Sequence, residues 1–159
     1  MASNAASQIA RVLDPVLKES GYRRRGLYWY RYGVDSVLLV NVQRARYTSG
    51  AYINLGVYYH KYGRMERPKD IDCHLTTRLT ALVPNPLREM ELLDFTNDIP
   101  LETRRVEIKE MMRRYGVNWL EGMSDIDSAR SLLASDKKAV HVAPIARADL
   151  RPTLTAPSN

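Results

Sequence analysis

The chain has 159 residues, 45% apolar and 26% charged, the balance of a soluble globular domain long enough to bury a real core. No apolar run approaches the ~20 residues of a membrane span, the N-terminus lacks the basic-then-apolar order of a secretory signal, and the single cysteine, Cys73, excludes an internal disulfide and fits a reducing cytoplasm. The net charge of +6 is uneven: residues 1–78 hold 13 Lys/Arg against 6 Asp/Glu, which implies either a solvated arginine-rich surface or an acidic partner for the first half.

Residues 7–20 place Ile9, Val12, Leu13, Val16 and Leu17 at helical spacing, with Ser7 as the expected N-cap and Gly21 as the stop. Pro15 inside that pattern predicts a kink or a split into two short pieces. Three strand-like runs follow at 27–32, 36–43 and 51–60, rich in β-branched and aromatic residues and separated by turn formers. Their short connections predict an antiparallel three-stranded meander. Alternation assigns Leu38, Val40, Val42, Ile53, Leu55 and Val57, with Leu27 and Trp29, to the core face. The opposite face then carries Tyr28, Tyr30 and Tyr32, next Asn41 and Gln43, and finally Tyr52, Asn54, Gly56 and Tyr58. Nine of the ten tyrosines fall between residues 22 and 62, and an apolar ring with a polar tip suits half-exposed sheet faces and interfaces.

After a basic loop, the stretch IDCHLTTRL (71–79) predicts a helix capped by Asp72, with Leu75, Leu79 and Leu82 as its apolar stripe and VPNP as its end. Residues 87–99 show no pattern. Further helices are predicted from Pro100 to Gly116 and over 124–135, the latter capped by Ser124, and AVHVAPI (139–145) suits a late edge strand. From Arg147 onward the sequence reads as a tail, disordered or docked on a partner. The predicted architecture is α+β: an N-terminal helix, a three-stranded antiparallel meander, and two to three helices packed on one sheet face. Residues 1–135 form a single domain, and 136–159 a C-terminal extension.

Few groups suit catalysis. In the predicted 71–82 helix, Cys73 would occupy the first turn, where exposed N–H groups favour a thiolate, and His74 would share a face with Arg78. Adjacent positions diverge by ~100° on a helix, so Cys73 and His74 form no dyad with each other. A small buried hydrophobe behind an Asp72 cap is the plainer reading of Cys73, and His74 in a first turn resists protonation. Three histidines and one cysteine without regular spacing give no zinc pattern. The sequence has no glycine-rich phosphate loop, no Gly-x-Ser-x-Gly elbow and no His-Glu-x-x-His, so neither a metal nor a cofactor is expected. The stretch YRRRGLYWYRY interleaves arginines with aromatics as single-stranded nucleic-acid surfaces do, without the Lys/Arg-Gly-Phe pattern of an RNA-recognition sheet.

Three segments, LKESGYRRRGLYWYR, YINLGVYY and DCHLTTRL, resemble in order and spacing a bacterial family known only as a domain of unknown function. The resemblance covers roughly residues 10–80 and touches Tyr30, Arg31, Asn54, Gly56, Asp72, Cys73, His74, Arg78 and Leu79. It implies an α+β domain in a bacterial cytoplasm and carries no activity over. If His74, Arg78 and Asn54 converge where helix meets sheet, they make either a structural polar network, the favoured reading, or a small-ligand site.

The functional expectation is a non-enzymatic binding module of a bacterial cytoplasm, compatible in size with an immunity or antitoxin role, whose partner is another protein. Nucleic acid is the alternative, and an enzyme or small-ligand site around Cys73, His74 and Arg78 is a third. The expected binding residues are Tyr28, Tyr30, Arg31, Asn41, Gln43, Tyr52, Asn54, Tyr58, His74 and Arg78. No membrane contact is expected, and the oligomeric state is left open.

Overall fold

Helix α1 (Ala5–Glu19) starts earlier than the predicted Ser7 cap: the Asn4 side chain accepts the Ser7 backbone N–H at 2.9 Å. The structure, a computed structural model, describes residues 4–135 and 139–152. Helix α1 is continuous through Pro15, so the predicted split into two pieces does not occur. Pro15 and Arg11, whose carbonyl it cannot serve, both lie on the exposed side, so the unserved carbonyl is not buried without a partner. The helix ends as predicted at Gly21, which adopts φ +90°. There the Tyr22 N–H reaches the Leu17 carbonyl at 2.9 Å and the Gly21 N–H the Lys18 carbonyl at 3.0 Å, a glycine-ended cap that satisfies the last carbonyls.

The predicted meander is the middle of a larger sheet. The strands are β1 (Arg23–Arg25), β2 (Tyr28–Tyr32), β3 (Ser36–Arg44), β4 (Ala51–Tyr59), β5 (Leu75–Arg78) and β6 (His141–Val142). They pair in that order, each antiparallel to its neighbour. IDCHLTTRL therefore does not form the predicted helix. Its leucines reach the core another way: Leu75 from β5, then Leu79 from a 3-10 turn, Leu79–Ala81, that follows it directly. Asp72 closes a second 3-10 turn, Asp70–Asp72, by accepting the Lys69 N–H at 2.9 Å.

The core face is the one that alternation assigns. Ile9, Leu13, Val16 and Leu17 of α1 share one buried cluster with Trp29, Leu38, Val40, Ile53 and Leu55, each large side chain contributing about 1.5–3 kcal/mol when fully buried. The Trp29 indole N–H finds Asp14 on α1 at 3.0 Å, which keeps the one polar atom of that side chain satisfied.

The unpatterned stretch holds α2 (Pro86–Leu92), capped by Asn85. What shapes it is Arg104, only 2% exposed, whose guanidinium donates to the carbonyls of Glu91, Leu92, Asp94, Asn97 and Ile99. A charge buried that deeply needs such a cage of acceptors. Arg104 belongs to α3 (Leu101–Met111), which continues through a π-helical stretch, Met112–Val117, into α4 (Asn118–Gly122). The predicted stop at Gly116 is thus a close approach instead: a Cβ there would stand 2.7 Å from Met112 Sδ. Helix α5 (Ile126–Ser135) takes Asp125 rather than Ser124 as its cap, through the Ser128 N–H at 2.9 Å. The edge strand expected at 139–145 is β6, but the tail expected from Arg147 opens with helix α6 (Arg147–Leu150). Ala146 and Leu150 bury fully beneath it. The remainder of the extension, 136–138 and 153–159, lies outside the described residues.

Candidate functional site

Register decides what the second sheet face offers. Arg25 lies opposite Tyr28, Tyr28 opposite Asn41, Asn41 opposite Asn54, and Asn54 opposite Arg78. One row of polar side chains therefore crosses five strands with an arginine at each end. The next row runs Arg23, Tyr30, Leu39, Gly56, Thr76, His141, and a third joins Tyr32, Val37 and Tyr58.

The chain itself covers much of the second and third rows. Residues 63–73 fold back over the sheet, and Cys73 rests on Gly56, where a Cβ would stand 2.7 Å from the sulfur. Tyr30, Val37, Leu39, Tyr58 and Cys73 form a second buried cluster there. The Tyr28 hydroxyl donates to Asp70 at 3.2 Å and the Tyr32 hydroxyl to the Glu66 carbonyl at 2.8 Å. Burial and the Asp70 carboxylate push the Tyr28 phenol up to about 12, which keeps it a donor. The Tyr28, Tyr30 and Tyr32 rings stack on one another with centroids 6.0 and 6.1 Å apart.

At the Asn54–Arg78 end the first row meets a groove of about 850 Å³. Gln43, Asn54, Thr76 and Arg78 contribute to it from the sheet, Asp70, Ile71 and Cys73 from one side, and residues 139–144 from the other. Asn54 is fully engaged: its Nδ2 donates to Asn41 Oδ1 at 3.1 Å and to Gln43 Oε1 at 2.8 Å, and its Oδ1 accepts from Arg78 Nε at 3.3 Å. The Arg78 guanidinium lies over the Tyr52 ring, 4.0 Å from its centroid. Among the described residues no carboxylate pairs with Arg78, and its two terminal nitrogens carry no hydrogen bond. A guanidinium fixed by a ring and an amide, with its outer edge unused, is arranged to receive a planar anion.

Beyond Arg78 a second cleft, of about 460 Å³, is lined by Tyr52, Thr80, Ala81, Met90 and Ala139. Behind it Glu89 of α2 is 1% exposed. Its Oε2 accepts from Thr80 Oγ1 at 3.0 Å and its Oε1 has no partner among the described residues. Burial pushes this carboxyl up to about 7, against the opposing pulls of the Thr80 hydrogen bond and the Arg78 charge.

The thiol and imidazole lie outside this groove chemistry. Burial pushes Cys73 up to about 12, the opposite of a helix-end thiolate, and its Sγ faces the Lys69 carbonyl at 3.4 Å. His74 resists protonation as expected, but through burial. Its Nδ1 accepts the Tyr59 N–H at 2.9 Å, and its ring packs 4.5 Å from Tyr58 and 4.8 Å from Tyr62.

Of the residues expected to bind, the structure brings Asn41, Gln43, Tyr52, Asn54 and Arg78 together, with Tyr28 in the same row. Asn41 and Asn54 are as deeply buried as Tyr30, Tyr58 and His74, so the accessible part of the group is Gln43, Tyr52 and Arg78, and Arg31 points to the opposite face, paired with Glu121 at 3.0 Å. Sequence reasoning missed Asp70, Ile71, the 139–144 wall and Glu89, none of which carries a local signal. Among the described residues no group of three His, Cys, Asp or Glu is placed to hold a metal ion, and no helix is long and apolar enough to cross a membrane.

Residues 13–122 match the family described as Domain of unknown function (DUF4304), and the chain belongs to that family. No curated protein and no solved structure matches it significantly. The sheet floor of the groove and its 70–73 wall fall within the family region, and the 139–144 wall falls beyond it.

Proposed function

We propose that this chain is a non-enzymatic binding module of a bacterial cytoplasm and that its groove docks a partner protein. The cross-strand row ending at Arg78 carries the reading, because its side chains are already fixed and its last guanidinium is unpaired among the described residues. Groups ordered in advance lose little freedom on binding, and a charge held in register gives specificity more than raw affinity. An immunity- or antitoxin-like role, in which the module neutralises its partner, accords with this. The buried, protonated Cys73 fits a packing role. Nucleic acid is a second reading, favoured by Arg23, Arg24, Arg25, Arg64 and Arg67, all exposed and outside the ion pairs of the described residues. Against it, the neighbouring tyrosine rings stack on each other and are tied to the 63–73 loop, leaving few faces for bases.

Affinity capture from the lysate of the source bacterium separates the two readings, using tagged wild-type and Arg78→Ala chains with and without nuclease. A protein retained by the wild type under both conditions and lost with a folded Arg78→Ala chain is the expected outcome. A partner that Arg78→Ala keeps overturns the groove, and material lost on nuclease treatment supports the nucleic-acid reading.

A further inference from the structure

Arg78 stands between two concavities of different character. On one side is the polar groove with Gln43 and Asn54, and on the other the cleft beside Tyr52, Ala81 and Met90. Groove and cleft share Arg78 and Ala139 on their walls, so a ligand lying across the guanidinium meets both, which suits an extended chain. The charges nearby select the anion. Among the described residues, Asp70 is the carboxylate lining the groove, Arg78 is the guanidinium shared by groove and cleft, and His141 stands on the groove's far bank. A monoanionic carboxylate is matched by one guanidinium and fits its outer edge in a two-point contact, whereas the second charge of a phosphate dianion would face Asp70. The ligand must extend past Arg78 on both sides to fill both concavities, so its carboxylate belongs to an internal side chain. A chain-terminal carboxylate would need a nest of backbone N–H groups. The apolar cleft, with Met90 on its rim, then takes the next side chain.

We infer that the groove recognises an extended peptide segment of a partner protein in which a Glu or Asp carboxylate seats on Arg78 and an adjoining apolar side chain enters the Tyr52–Met90 cleft. This rests on the partner-binding reading and names its ligand. The Gln43 side-chain amide is the neighbouring donor, and Tyr52 holds the guanidinium flat.

The test is a titration of the isotope-labelled chain with a hexapeptide blocked at both ends and carrying Glu-Leu at its centre, read by NMR. Saturable shifts at the Arg78 Nε–H and at the Asn54 and Gln43 side-chain amides are expected. The Gln-Leu peptide should bind about tenfold more weakly, the loss of one charge-assisted contact, and Glu-Ser should also weaken. Arg78→Ala should show no saturation while keeping the dispersed spectrum of a folded chain. Should that variant misfold, the Glu-against-Gln comparison on the wild type decides alone. Absence of saturation, or equal affinity for the Gln-Leu peptide, overturns the carboxylate assignment. Equal affinity for Glu-Ser overturns the apolar half, and tighter binding by a peptide whose only carboxylate is its C-terminus overturns the internal side chain. If these peptides fail while a captured protein still depends on Arg78, the ligand class falls and the docking reading stands. If capture fails as well, both fall.

Discussion

Glu89 is the residue whose titration reaches the whole fold. Its carboxyl has one oxygen on Thr80 and one without a partner among the described residues, so ionising it inside the protein is unfavourable. The folded protein holds that proton up to about pH 7, whereas an ordinary glutamate lets go near 4.5. The group's folded-state affinity for a proton is raised, so its stabilising contribution is complete below pH 4.5 and disappears as pH rises through 7. At ~1.36 kcal/mol per pH unit the loss comes to about 3–4 kcal/mol. Glu89→Gln keeps the volume and can still accept from Thr80 without carrying a charge. Urea unfolding from pH 5 to 8 should therefore show a falling stability for the wild type and a much flatter one for the variant. Parallel curves would remove Glu89 as the cause. Nothing in the sequence marks this residue, because one glutamate in an unpatterned stretch looks like surface until α2 and the turn at Thr80 enclose it.

At the scale of elements, β3 and β4 were legible because one face repeats aliphatic residues with a period of two. The first long helix was legible too, down to its glycine end. β5 was not, because Leu75, Leu79 and Leu82 fit a helical stripe as well as they fit a strand followed by a tight turn. β1 has no apolar alternation at all, being Arg23, Arg24 and Arg25. The half of the candidate site on β3 and β4 followed from parity, while the half supplied by β5 and the 139–144 segment depends on long-range pairing. The packing of the 63–73 loop on β4 gives an element-level test. Gly56→Ala should destabilise by about 1–3 kcal/mol, since its new methyl meets Cys73 Sγ. Combining it with Cys73→Ala should recover much of that loss, a coupling of about 1 kcal/mol in a double-mutant cycle. Strict additivity would mean that the loop does not rest on the strand.

For the molecule as a whole, the C-terminal segment belongs to the core and is no appendage. Leu150 is 1% exposed and Ala146 fully buried, so Leu150→Ala should lower the unfolding free energy by about 2–4 kcal/mol. A midpoint unmoved by that change would make 144–150 a loosely attached tail. The sheet order has a further consequence, for the time at which the site comes into being. Strands β2 to β5 each pair with the strand just before them in the chain, so they can zip together as a ribosome releases them. The last strand must wait for the four helices α2 to α5 to emerge before it returns to β5. A nascent chain shorter than about residue 144 carries the arginine and its amide but not the opposite bank. On the proposed docking reading, the complete groove is offered only by chains whose synthesis has passed that point.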